Sequence, residues 1–318
     1  VASNSILWQQ RLGKQRDWVW RGWQIRYSFF RPPQSSNPTP LLLVHGFGAA
    51  IEHWRQNIPV LGEHYAVYAL DLLGFGASRK AETTYSASLW AEQIYDFWRT
   101  FIREPIVLVG NSIGSLACAT AAAEHPEMVA AIALLNLPDV SVRQETIPRP
   151  LQPVVSALEE IVGSPLLLKT LLRVLRRPSI LRRWVAIAYE DDTAVTDELV
   201  EILHAPACDR GAGDAFYSLF KSVRQPQFAP SMKTLLPTLN IPILLVWGRQ
   251  DRMVPFSLAE SFVNLNPRLE LVEFNPAGHC PHDECPEQFN TLFLNWLDRR
   301  LKQKKGETSD NAIASQLG

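Results

Sequence analysis

Six short apolar runs punctuate the chain: LLLV (residues 41–44), YAVYAL (65–70), IVLV (106–109), VAAIALL (129–135), ILLVW (243–247) and LELVEF (269–274). They are continuous rather than alternating, the pattern of strands covered on both faces in a parallel sheet. Ahead of them, WVWRGWQIRYSFF reads as two strands about an Arg21-Gly22 turn, followed by a Pro/Ser/Asn-rich loop over residues 32–40. Helix-length stretches such as SASLWAEQIYDFWRTFI and SLACATAAAEHPEM lie between most of the runs. Strands alternating with helices predict an α/β fold with a mostly parallel central sheet flanked by helices.

The alternation stops between residues 138 and 239. That span is helical in pattern, rich in Pro, Leu and Arg, and far longer than a plain loop in a compact domain. It is predicted to be an inserted helical cap. The chain then divides into a core (1–137 and 240–300), a cap or lid (138–239) and a polar, flexible tail (301–318). Within the cap, SPLLLKTLLRVLRRPSILRRWVAIAY sets Lys169, Arg173, Arg176 and Arg177 at i, i+4, i+7 and i+8. Leu167, Leu168, Leu171, Leu172, Val174 and Leu175 fill the remaining face. Pro178 should end or kink this helix, and Arg182 and Arg183 continue its basic character. Either this helix lies at an anionic interface, or its leucines pack on the core and its arginines are solvated.

Composition narrows the classes. With 318 residues, 47% hydrophobic and 20% charged, the chain suits a globular domain with a substantial core. A formal net charge of -1 gives nucleic acid no basis as the main partner. The four cysteines, Cys118, Cys208, Cys280 and Cys285, form no CxxC pair; they indicate neither a zinc knuckle nor a disulfide framework and suit a reducing compartment. No apolar run reaches bilayer-spanning length. The first residues lack the charged start and apolar block of a secretory signal, and a targeting segment ahead of Val1 is left open.

In open α/β sheets ligands bind beyond the carboxyl ends of the strands, so the chemistry is sought there. LVGNSIGSLA (108–117) puts Ser112 between Gly110 and Gly114, after a buried strand and before a small-residue helix. This G-x-S-x-G pattern holds a nucleophilic serine on a strained turn, where a Cβ at either glycine would collide with the adjoining strand or helix. The alternative is a purely structural turn. A serine nucleophile needs a base oriented by a third group. NPAGHCPHDE offers His279 just past the last strand, with His282 as its rival, and LLVWGRQDRMVP offers Asp251, with Asp139 as the fallback acid. LLLVHGFGAA adds His45-Gly46-Phe47-Gly48 at a strand end, where the backbone N–H groups of Phe47 and Ile113 are natural oxyanion donors. His45 reads first as a loop-stabilising residue; His45, Gly46, Trp54 and Trp184 are also candidates for the substrate wall. Asp71, in ALDLLGFGAS, reads as architectural.

Together HGFG (45–48), DLLGFGAS (71–78), GNSIGS (110–115), WGRQDRMVP (247–255) and PAGHCPHDECPEQF (276–289) make residues 17–300 resemble α/β-hydrolase fold enzymes. Ser112, Asp251 and His279 stand in the chain order of that superfamily. Haloalkane dehalogenases and epoxide hydrolases are similar but carry aspartate at the elbow, so serine implies an acyl-enzyme and ester, thioester or C–C bond hydrolysis. More narrowly, WVWRGWQIRY, DLLGFGAS and VLVGNSIGS are similar to the pheophytinase and chlorophyll dephytylase group, which removes the phytyl chain from chlorophyll-type pigments. That resemblance implies a phytylated tetrapyrrole as lipophilic ester substrate and a place on the cytoplasmic side of, or peripherally bound to, a photosynthetic membrane, while a two-step mechanism through Ser112, His279 and Asp251 needs no metal or organic cofactor. A general carboxylesterase, lipase or C–C hydrolase is the alternative within the fold. A non-catalytic binding protein is the alternative outside it, against which the intact Ser-Asp-His set argues.

Overall fold

The predicted strands all form and join one sheet. In the computed structural model, residues 8–31, 39–140 and 164–314 are described. The tryptophan-rich hairpin gives β1 (Lys14–Trp20) and β2 (Trp23–Phe30). The six apolar runs give β3 (Leu41–Val44), β4 (Val67–Leu70), β5 (Ile106–Asn111), β6 (Val129–Leu135), β7 (Ile243–Gly248) and β8 (Leu269–Phe274). The spatial order is β1-β2-β4-β3-β5-β6-β7-β8, and only β2 runs against its neighbours. Arg21 and Gly22 take φ values of 49° and 85°, the left-handed pair that a two-residue hairpin turn needs.

Around the sheet lie α1 (Ile58–Gly62), α2 (Ala87–Phe101), α3 (Ile113–Glu124), α4 (Pro165–Leu175), α5 (Pro178–Val185), α6 (Asp197–Ala207), α7 (Ala212–Val223), α8 (Met232–Leu235), α9 (Phe256–Phe262), α10 (Pro281–Glu284) and α11 (Pro286–Ala314). Alternate residues of each inner strand serve opposite layers, which is why the runs are apolar throughout. Leu42, Val44, Leu108, Leu134 and Leu245 pack with Trp90, Ile94 and Leu116 of α2 and α3. Leu41, Leu43, Val109, Ala133 and Val246 pack on the other side with Trp54, Phe289, Phe293 and Trp296. Each large aliphatic side chain so buried contributes about 1.5–3 kcal/mol of transfer from water.

Two expectations change. LELVEF, read as buried on both faces, is the edge strand β8; it is half-buried, and Glu270 pairs with Arg299 and Arg300 of α11. The stretch from Lys302, read as a flexible tail, continues α11 as helix to Ala314. Lys, Gln, Glu and Ala are good helix formers, and missing apolar periodicity excludes only a packed face, not a helix.

Between β6 and β7 the described chain holds α4 to α8 and no strand. Residues 141–163 of the predicted cap lie outside the described residues. Pro178 opens α5, so α4 ends where the sequence required. From β3 the chain builds β4 on one side and then crosses to β5 on the other. The carboxyl ends of β3 and β5 therefore frame the switch-point crevice.

Candidate active site

β5 ends at Asn111 and α3 begins at Ile113, leaving Ser112 at φ 54°, ψ -118°. An L-residue rarely adopts that conformation. The two glycines make it possible. A Cβ on Gly110 would lie 2.5 Å from the Gly114 carbonyl carbon, and one on Gly114 would lie 2.5 Å from the carbonyl oxygens of Val44 and His45. The turn is tied down by the Ser112 N–H to Leu135 O at 2.9 Å and by the Ser115 hydroxyl, 2.7 Å from Gly110 O. Ser112 thus stands at the N-terminus of α3, where the helix dipole favours negative charge.

His279 Nδ1 lies 2.8 Å from Asp251 Oδ2. That carboxylate has three further donors: the Asn136 amide at 2.5 Å on Oδ2, and the Met253 and Val254 N–H groups at 2.7 and 2.9 Å on Oδ1. Burial pushes the Asp251 carboxyl up, but the hydrogen bond and charge of His279, with the Val254 N–H and Asn136, hold it below the usual carboxylate range. The carboxylate is therefore ionised at neutral pH and accepts from Nδ1–H, which leaves Nε2 as an acceptor. The His279 loop is also clamped through its backbone. Its N–H donates to Ala188 O at 2.6 Å, its carbonyl accepts from Asn111 at 3.1 Å, and the Gly278 N–H donates to Glu284 at 2.7 Å.

The rival residues have other places. His282 is fully buried, with ring centroids 4.1 Å from Trp54 and 4.7 Å from His53, and burial holds its imidazole well below the usual value. Asp139 accepts from the Met232 N–H at 3.1 Å and the Ser231 hydroxyl at 3.2 Å, capping α8. Asp71 accepts from the Ile51 and Ala77 N–H groups at 2.8 and 2.7 Å, which shapes two loops.

Two wall candidates are corrected. His45 is fully buried: its Nε2 accepts from the Leu72 N–H at 3.1 Å, and its Nδ1 lies 2.7 Å from Gly46 O. Burial, the largest cause, lowers it to about 4, so it is a neutral strut of the loop. Trp54 is likewise fully buried, packed against His282 rather than facing a ligand. Both were displaced by core packing that spacing along the chain does not reveal.

Ser112 and His279 line one cavity of about 370 Å³. Gly46 and Phe47 join them from the core, and Leu172 and Leu175 of α4, Trp184 of α5, and Phe216 and Leu219 of α7 close it from above the sheet. A Cβ on Gly46 would come within 3.5 Å of the Ser112 Cβ, so the Gly46-Phe47 backbone runs beside the serine. Ile113 opens α3, where a backbone N–H has no intrahelical acceptor. The cavity wall also holds His53 and Tyr189, which sequence reasoning did not find. The Tyr189 hydroxyl donates to Asp283 at 2.7 Å and lies 2.9 Å from His53 Nε2, while Arg55 reaches Asp283 at 2.6 Å and Glu198 at 2.5 Å. These partners are far apart in the chain, and no local motif marks them. No helix among the described residues is long and apolar enough to cross a membrane.

The profile of the alpha/beta hydrolase fold matches residues 39–286. The 2-hydroxy-6-oxo-6-(2'-aminophenyl)hexa-2,4-dienoic acid hydrolase of Metapseudomonas resinovorans is 26% identical over 265 residues, 82% of this chain and 84% of that protein. Chloroplastic pheophytinase of Arabidopsis thaliana is 26% identical over 300 residues, 81% of this chain; the match spans 60% of the pheophytinase. The crystal structure of a membrane phospholipase A superposes with a TM-score of 0.73 at 28% identity, covering 92% of this chain and 88% of that one. The CarC serine hydrolase of carbazole degradation shares the fold at 23% identity, with a TM-score of 0.74 and coverage of 90% and 99%. The pheophytinase is thus one of several distant relatives with differing substrates. With its profile matched over most of its length, this chain belongs to the α/β-hydrolase fold family.

Proposed function

We propose that this hydrolase-fold enzyme cleaves a lipophilic carboxylic ester through an acyl-enzyme, with the phytyl ester of chlorophyll or pheophytin as substrate. The observation that carries the reading is Ser112, raised on a strained turn into an apolar cavity shared with a His279 whose Nδ1 is bound to Asp251. His279 Nε2 takes the Ser112 proton as Oγ attacks the ester carbonyl, and Asp251 stabilises the imidazolium. The N–H groups of Phe47 and Ile113 hold the oxyanion. Collapse breaks the ester C–O bond, and phytol leaves with the proton from His279. Water, giving a proton to His279, then attacks the acyl carbonyl; the acyl C–Oγ bond breaks, His279 returns that proton to Ser112 Oγ, and the chlorophyllide or pheophorbide acid leaves and loses its proton to solvent. Every proton in this scheme moves between these residues, substrate and water, and a porphyrin magnesium belongs to the substrate.

Two features support the pigment ester: the hydrocarbon lining from Leu172, Leu175, Phe216 and Leu219, and the likeness to pheophytinase. Each methylene of a phytyl chain buried there contributes about 0.8 kcal/mol. Such a substrate resides in a photosynthetic membrane, where the protein would act peripherally. A second reading, C–C bond hydrolysis of a 2-hydroxy-6-oxo-dienoate, is favoured by relatives whose own lengths are matched over 84% and 86%.

The test is incubation of wild type and Ser112→Ala with chlorophyll a and pheophytin a in detergent, a short acyl ester, and a 2-hydroxy-6-oxo-dienoate. Phytol release by wild type alone is expected. Turnover of the short ester without phytol release would remove the pigment, and turnover of the dienoate alone would favour the second reading. No turnover and no labelling of Ser112 by a fluorophosphonate would leave a binding protein.

A further inference from the structure

α4 carries two apolar stripes. Leu168, Leu172 and Leu175, at i, i+4 and i+7, turn inward; Leu168 is buried and the other two line the cavity. Leu167, Leu171 and Val174 repeat that spacing on the outer face and are 49%, 41% and 37% exposed, with Leu166 beside them at 75%. A helix that packs only on its own core needs one stripe. The predicted basic stripe is split in the same way. Lys169 pairs with Asp214 and Arg176 lines the cavity, whereas Arg173 and Arg177 are exposed among the outer leucines. Arg182 pairs with Asp197, but among the described residues Arg173, Arg177 and Arg183 make no ion pair.

The next helix along the chain, α5, brings Trp184 to the cavity. Trp184, Met253 and Phe47 line the cavity and are still 57%, 57% and 49% exposed, so they mark its opening, and Trp184 sits on the helix next to α4. Exposed Leu and Trp interleaved with unpaired Arg match the headgroup region of an anionic bilayer, where the apolar groups insert and the guanidinium groups meet lipid phosphates. A symmetric contact with a second copy fits less well, since it would set the same unpaired arginines against each other.

We infer that the outer face of α4, with Arg183 and Trp184 of α5, docks on an anionic lipid surface and seats the cavity mouth against it. The inference deepens the proposed function and rests on it only for the purpose of docking, namely entry of a membrane-resident substrate. The experiment is flotation of the full chain with phosphatidylcholine vesicles, with and without phosphatidylglycerol. Wild type should float with the phosphatidylglycerol vesicles, less so as salt is raised, and little with phosphatidylcholine alone. Leu167→Glu/Leu171→Glu and Arg173→Glu/Arg177→Glu/Arg183→Glu should each lower binding about tenfold or more. Both should keep the wild-type Tm and turnover of a short soluble ester. The inference is overturned if wild type stays unbound at low salt, or if both variants float like wild type. It is equally overturned if wild type is a dimer that Leu167→Glu/Leu171→Glu splits while no vesicle is bound. Ser112→Ala should float as wild type does, so failure of the chemistry and failure of docking are read separately.

Discussion

Asn136 donates its side-chain amide to Asp251 Oδ2 at 2.5 Å, the same oxygen that pairs with His279 Nδ1 at 2.8 Å. The amide shares the negative charge with the imidazole and fixes the direction in which the carboxylate faces it. Asn136→Gly keeps the left-handed backbone, φ 47°, and removes the donor. A hydrogen bond to a charged group contributes about 1.5–3 kcal/mol. Turnover of a short ester should therefore fall about tenfold. Without that donor the carboxylate can turn away from His279 Nδ1, which is why the loss should appear in kcat rather than in KM. Steady-state kinetics check it, and an unchanged kcat would reduce Asn136 to a packing role.

Strain at Ser112 predicts a trade of stability for activity. A residue at φ 54°, ψ -118° carries a backbone penalty on the order of 1–3 kcal/mol. Ser112→Gly should be inactive yet melt higher than wild type, while Ser112→Ala should be inactive with nearly the wild-type Tm. Thermal unfolding of the three proteins side by side decides it. Equal melting of the glycine variant and wild type would mean that the turn stores no strain.

Three buried imidazoles predict how stability depends on pH. Burial is the largest cause in each: it lowers His45 and His53 to about 4 and His282 well below its usual value. An unfolded histidine titrates at about 6.5, so below that pH the unfolded chain binds protons that the fold excludes. The stability linked to these groups is complete above about pH 6.5 and is lost as pH falls toward about 4, on the order of 3 kcal/mol for a shift of this size. Tm should decline across that window, and His53→Gln should flatten the decline. A level Tm from neutral pH down to the acid end would contradict neutral, buried rings.

Tyr189 ties the segment after α5 to the core through Asp283 and His53, and its neighbour Ala188 accepts the His279 N–H at 2.6 Å. Tyr189→Phe leaves a buried carboxylate and an imidazole short of a partner, which should cost about 1–3 kcal/mol. If this contact also positions the His279 loop, kcat should fall with little change in KM. A loss in Tm with kcat unchanged would confine Tyr189 to a structural role.

The sheet was legible in the chain because burial on both faces makes a strand apolar at every position, and that pattern is local. The Ser112 turn was legible for a related reason: strand, glycine, serine, glycine and helix follow one another within ten residues, LVGNSIGSLA, so the constraint lies in neighbours along the chain. The same locality misled where burial depends on distant elements. LELVEF looked like an inner strand until sheet order put it at the edge, and His45 and Trp54 looked like cavity residues until packing enclosed them. Spacing alone left His279 beside His282 and Asp251 beside Asp139. Only the tertiary structure turned His279 toward Asp251, buried His282 against Trp54 and gave Asp139 to the start of α8. Asn136 with Asp251, and Tyr189 with Asp283, lie 115 and 94 residues apart. Such pairs exist because the order of strands in the sheet carries their loops to one edge, and side chains brought together that way leave no periodic mark in the sequence.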